Sequence, residues 1–378
     1  MRKLITTDSH LTPPPQVFME MPAELRRHTE FLLRYEERED GNYLVFPRRE
    51  MMGAADAAPV KITDDRQFAR LVNIAYEGED AFPGFTPEDR LPDMEREGIE
   101  AQVLIGAPEF NFNRGPEITA AQVMYCRLAN DWLADTYKSH LHCFAPGINL
   151  PWMDPAACVT ELERAAAMGL RPAIMPDGIW DRPYWMPEWE PLWETAAGLG
   201  IPITMHIANI RNAPAAAQPP AGGNPFGGFY GLCCDMGKTL TDLSMAGVFE
   251  RHPDLTIVMT EGYAFWLAGV IQFIDHHFQG NFGSVRALPK LQDLPGNYIK
   301  RQAKATFMWD PVAINNRGLT GIDCLLWGND YPHAEGIFPD SQAMIDKQFA
   351  GVPEDEVARI TFTNAREIFK FDIPALAT

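Results

Sequence analysis

The chain has 378 residues, 46% of them hydrophobic and 22% charged, enough apolar content for one barrel-sized core or two smaller ones and too much for a disordered or fibrous protein. With 51 acidic against 32 basic residues, its net charge of −19 excludes a general nucleic-acid surface, which needs clustered Lys and Arg to replace phosphate counterions. The start reaches Asp8 before an apolar signal region forms, and no run approaches the length of a membrane span, so a cytoplasmic protein without a membrane partner is expected.

The first predicted strand, 3–7, runs into Asp8-Ser9-His10. In extended backbone residues i and i+2 face the same way, so Asp8 and His10 present a carboxylate and an imidazole together, half of a metal site. The stretch 11–98 has no clean period. Helical spacing appears over 25–38 and a hairpin arm over 42–48, and a connection of this length reads as a lid or an interface insertion. Arg48 within it is a candidate to meet an anionic substrate.

From residue 99 onward, apolar strands alternate with helices. The strands fall at 101–106, 143–148, 172–176, 201–206, 255–261, 303–307 and 324–327, and the helices at 120–137, 155–168, 189–199, 237–249, 265–278 and 312–317. Counting 3–7, eight strands each precede something helical. Continuous apolar strands joined through helices pair in parallel, and eight such units make a (β/α)8 TIM barrel, here one domain over 1–378 with a long insertion after strand 1. Six scattered cysteines without CxxC spacing are expected as reduced thiols, not a zinc knuckle.

In such a barrel the strand ends share one mouth. Asp8 and His10 stand at the end of strand one, His206 at strand five, Glu261 at strand six and Asp330 at strand eight. Each alone suits a structural hydrogen bond; five at equivalent ends suit a divalent ion such as Zn, Mn or Fe. One ion is expected, and a second is open if Glu261 bridges. Around the mouth, His333, Trp180, Phe229 and Trp266 are candidates for substrate contact, although aromatic residues more often serve packing.

The set T-D-S-H near the start, P-I-T-M-H in the middle, H-P-D-L-T-I-V-M-T-E-G, G-N-D-Y-P-H and I-T-F-T-N-A-R-E-I-F resembles the amidohydrolase 2 branch of the amidohydrolase superfamily. That branch includes aminocarboxymuconate-semialdehyde decarboxylase-like and resorcylate decarboxylase-like enzymes. The resemblance covers nearly the whole chain, with 11–98 matching least. It implies a TIM barrel with one divalent ion, Asp8 and His10 as the first-strand pair, His206 as the fifth-strand ligand and Asp330 as the eighth-strand acid. Departures are Asp8 where H-x-H is frequent, Glu261 where a catalytic His is frequent, and no Lys after strand four, which removes a carbamylated-lysine bridge.

Two reactions are expected on these parts. The first is hydrolysis, in which metal-activated water attacks a carbonyl-type bond (ester, thioester, lactone, amide or C–C) of a small organic acid, with Asp330 and Glu261 as catalytic groups. The alternative is non-oxidative decarboxylation of an aromatic or unsaturated carboxylic acid. A catalytically inactive barrel acting as a binding subunit is the minor alternative. The expected partners are a small-molecule substrate and a second copy in a homodimer.

Overall fold

The computed structural model describes residues 1–29, 34–45, 58–73, 84–106, 116–179, 182–208, 225–280 and 290–376. Its barrel strands are β1 (Leu4–His10), β2 (Ile99–Ile105), β3 (Phe144–Pro146, continued as Ile148–Asn149), β4 (Ala173–Pro176), β5 (Ile203–His206), β6 (Ile257–Thr260), β7 (Ala303–Phe307) and β8 (Leu325–Trp327). All pairings among them are parallel. The strands run β1-β2-β3 and then β3 to β8 in order, the break in β3 falling at Gly147. The ring closes where Ser9 bridges Tyr331, with His10 N donating to Tyr331 O at 2.6 Å and Asp330 N to Asp8 O at 2.9 Å. The fold is the expected TIM barrel.

The strands are buried almost throughout, as expected when helices cover the outside and side chains fill the inside. Local signals explain the helices. Asp154 caps the helix Pro155–Ala167 by accepting from Ala156 N and Ala157 N, with Pro155 preset for its first turn. The helix Glu190–Leu199 stops at Gly200, whose φ of 59° is the left-handed cap geometry.

The structure changes several expected boundaries. β1 extends to His10, because the pairing of Ser9 and His10 with Tyr331 and of β1 with Leu104 and Ile105 on β2 continues the ladder past Thr7. The helix expected over 25–38 is not formed as such. A short helix Ala23–Arg26 and a 3-10 turn Arg27–Thr29 come first, and Arg34–Arg38 is a strand, drawn into an antiparallel hairpin with Gly41–Val45. Charged residues at helical spacing yielded to cross-strand pairing, in which Arg38 also covers the Tyr43 ring at 4.4 Å. The end of 11–98 is a barrel helix, Pro87–Glu97, opened by a Thr86–Asp89 capping box and leading through Gly98 into β2. A helix Pro295–Gln302, outside the expected set, precedes β7, and short helices follow β8.

Candidate metal centre

β1 carries Asp8 and His10 into the mouth as alternate, same-facing residues, 1% and 7% exposed. β5 ends at His206. β6 ends at Thr260, and Glu261 turns sharply with φ 67°. β8 gives way to Gly328-Asn329-Asp330, with Asp330 at φ 56° and fully buried. Both acids thus hold a left-handed backbone that non-glycine residues seldom adopt, at about 1–3 kcal/mol each, which the surrounding packing must offset.

These five side chains and His333 meet. His206 Nε2 lies 2.8 Å from Glu261 Oε2 and 3.9 Å from Asp8 Oδ1. His10 Nε2 lies 3.3 Å from Asp8 Oδ1 and 3.1 Å from Asp330 Oδ1. Asp330 Oδ1 is also 3.0 Å from His333 Nδ1. The rings of His10 and His333 stack at 3.9 Å, and that of His206 stands edge-on to His10 at 4.9 Å. One ligand atom from each of Asp8, His10, His206 and Glu261 falls within 4.8 Å of all the others, and His10, Asp330 and His333 satisfy the same limit. His10 belongs to both groups.

The electrostatics follow from burial. Burial lowers the basicity of His10, but Asp330 and Asp8 outweigh it and hold the imidazole well above its usual range. For His206 burial is likewise outweighed, by Glu261. Burial raises Asp330, yet His10 and His333 pull it well below the ordinary carboxylate range. Asp8 Oδ1 and Oδ2, Asp330 Oδ1 and Oδ2 and His10 Nε2 are buried, and their close approaches fall short of normal hydrogen-bond geometry. Buried charge so poorly satisfied is costly without a counter-ion, and imidazole with carboxylate is a donor set that Mn, Fe(II) or Zn accepts. His206 Nδ1 meets Ile207 O at 2.9 Å, a contact that turns Nε2 toward the cluster.

A profile of the Amidohydrolase family matches residues 5–371. The chain belongs to the Amidohydrolase family. Several solved structures share the fold of this amidohydrolase. 5-Carboxyvanillate decarboxylase from Sphingomonas paucimobilis is 23% identical, with 97% of this chain and 99% of that one covered and a TM-score of 0.70. 2,6-Dihydroxybenzoate decarboxylase from Rhizobium is 19% identical over 99% and 100% of the chains at 0.66. Dihydroxybenzoic acid decarboxylase from Polaromonas sp. JS666, which holds manganese and 2-nitroresorcinol, is 19% identical over 99% and 98% at 0.65. As a family member with this cluster, the amidohydrolase is a metal-dependent enzyme.

Of the remaining expected contacts, Arg48 and Trp180 lie outside the described residues, as does the side chain of Phe229, which sits in the helix Pro225–Met245. Trp266 is 8% exposed and donates Nε1–H to Gly262 O at 2.8 Å, a packed position against the β6 loop of the amidohydrolase. Sequence reasoning passed over two buried acids at strand exits. Asp177 after β4 accepts from Ala208 N at 3.1 Å, and Asp310 after β7 accepts from Ala264 N and Ala313 N, both at 2.8 Å. They fasten the loops that follow β5 and β6. Each stands within three residues of a predicted strand end, which was the available signal.

Proposed function

We propose that this amidohydrolase is a divalent-metal-dependent carboxy-lyase that removes the carboxyl group of a small aromatic acid without oxidation. The observation that carries this reading is Asp330, fully buried, with His10 and His333 on the same oxygen at the edge of the metal cluster. Decarboxylation needs a grip on the substrate's oxygens and one proton delivered to carbon in a site sheltered from water. Within the cluster the greatest side-chain exposures are 18% at His333 and 13% at Glu261. The decarboxylases that share this fold, one of them holding manganese, support the reading and favour Mn(II) as the ion.

Asp8, His10, His206 and Glu261 would hold the metal, which when bound draws electron density from the substrate's carboxylate and a neighbouring oxygen. Asp330 faces the ring carbon that bears the carboxyl group. An anion at rest, it takes a proton from His333, the imidazole with access to solvent, and passes it to that carbon. The carbon–carbon bond then breaks, its electrons return to the ring, and carbon dioxide leaves with the proton retained on the product.

Hydrolysis is the second reading, and Glu261 is the observation that favours it. At 2.8 Å from His206 Nε2 this acid is placed to act as base toward a water in the cluster. We also place the enzyme in the cytoplasm, a reading supported by six free cysteines, five of them buried. The helix Asp65–Val72 within 11–98 we assign to a lid, since Thr12 N, just past β1, donates at 2.8 Å to Oδ1 of Asn73 at that helix's C-terminal end and so ties the mouth to it.

The test is a panel of carboxyl-13C hydroxybenzoates, 2,6-dihydroxybenzoate and 5-carboxyvanillate included, beside aryl esters and lactones, with the Mn(II)-loaded enzyme in D2O. Labelled carbon dioxide with one deuterium at the vacated ring carbon is expected. Metal-dependent cleavage of esters or lactones with no carbon dioxide from any acid would overturn the reading in favour of hydrolysis.

A further inference from the structure

The helix Pro87–Glu97 carries Arg90 and Asp93 one turn apart, 0% and 4% exposed. Arg90 Nε donates to Gln102 Oε1 on β2 at 3.0 Å, and Nη1 donates to the backbone carbonyl of His10 at 3.1 Å. The guanidinium carbon lies 4.8 Å from the centre of the Tyr331 ring. The Tyr331 hydroxyl in turn donates to Asp93 Oδ2 at 2.7 Å, and the Tyr331 carbonyl accepts from His10 N at 2.6 Å. One helix therefore grips two of the four segments that supply the centre: the end of β1 through His10, and the turn after β8 through the neighbour of Asp330.

Stability alone does not account for this arrangement. Arg90 Nη2 is buried without a hydrogen bond, and an incompletely satisfied buried cation costs more than an apolar residue of similar size. What the guanidinium supplies that an apolar residue lacks is a directed bond to the carbonyl of His10. The carboxylate of Asp93 does the same for Tyr331.

We propose that Arg90 and Asp93 are positioning residues for the metal centre. Through His10 O and Tyr331 they hold His10 Nε2 in place beside Asp8, His206 and Glu261, and with it the affinity for the ion. The proposal rests on reading the cluster as a divalent-metal site. Groups that orient metal ligands from behind change affinity by about 10- to 100-fold when removed.

The experiment is equilibrium titration of metal-free protein with Mn(II), following free ion by electron paramagnetic resonance. Wild type is compared with Tyr331→Phe, Arg90→Met, Arg90→Lys and His206→Ala, each first shown to melt cooperatively. Tyr331→Phe, which removes one oxygen, and Arg90→Met are expected to weaken Mn(II) binding by about tenfold or more. Arg90→Lys is expected to recover part of the loss, because an ammonium still donates to His10 O. A purely structural role would lower the melting temperature and leave affinity within twofold of wild type, and that result in Tyr331→Phe overturns the proposal even where Arg90→Met fails to fold. Wild type binding Mn(II) no better than His206→Ala would overturn the metal reading itself, and the proposal with it.

Discussion

Asp330 has two imidazoles on one oxygen, which hold it as a carboxylate, the state from which the proposed reaction has it receive and pass on a proton. In Asp330→Asn the amide keeps the shape but has no transferable proton. At saturating Mn(II), kcat is expected to fall by about 10²- to 10⁴-fold, measured as carbon dioxide release. Asp177 is the opposite case. Burial pushes its carboxyl up to about 7 from an ordinary value of 3.8, so between those limits the folded protein binds a proton that the unfolded chain has released. The contribution of Asp177 to stability is therefore complete below about pH 4 and is lost as the pH rises through about 7, by at most about 4 kcal/mol. Denaturant melts of metal-free protein from pH 4 to 8 should show the decline. Asp177→Asn, which keeps an acceptor for Ala208 N, should flatten it and be the more stable form at pH 8.

At the scale of elements, the centre depends on how closely β8 approaches β1. A Cβ built on Gly328 would lie 2.5 Å from Asp8 Cβ and 3.0 Å from Asp8 N, so the turn that sends Asp330 into the mouth has no room for a side chain. Gly328→Ala is expected to cost about 1–3 kcal/mol and to weaken Mn(II) binding by displacing Asp8. Gly198→Ala is the control: nothing lies within 4 Å of its Cβ position, inside the helix Glu190–Leu199, and it should gain about 0.5–1 kcal/mol with metal binding unchanged. Thermal melts alongside metal titration separate the two. The same contrast explains what sequence made legible. The eight strands were readable because parallel barrel strands are buried on both faces and appear as unbroken apolar runs, and Asp8, His10, His206, Glu261 and Asp330 were readable because a polar residue stands out where such a run ends. Arg90 and Asp93 were not, since on a charged helix they look like solvated residues until Tyr331, some 240 positions away, folds over them. Arg34–Arg38 misled for a related reason: helical spacing is a local signal, and the hairpin with Gly41–Val45 is not.

Across the whole molecule, 51 acidic and 32 basic residues give a net charge of −19, and the proposed substrate is an anion. At long range the protein repels what it must bind, whereas at contact the metal and the buried imidazoles attract it. Salt separates these ranges, because the screening length falls from about 30 Å at 0.01 M to about 8 Å at 0.15 M, while charges in direct contact within a buried site are screened far less. Raising ionic strength over that interval should therefore increase kcat/KM for an aromatic acid by a few-fold through a lower KM, with kcat unchanged because the proton transfer lies inside the mouth. An uncharged amide or ester of the same ring should show no such rise. If kcat/KM for the acid falls with salt instead, a local cationic surface governs the approach, and the Arg48 segment is where the sequence offers one. Steady-state kinetics at four or five salt concentrations, with Arg48→Ala beside the wild type, decide between net charge and local charge as the field that the substrate meets.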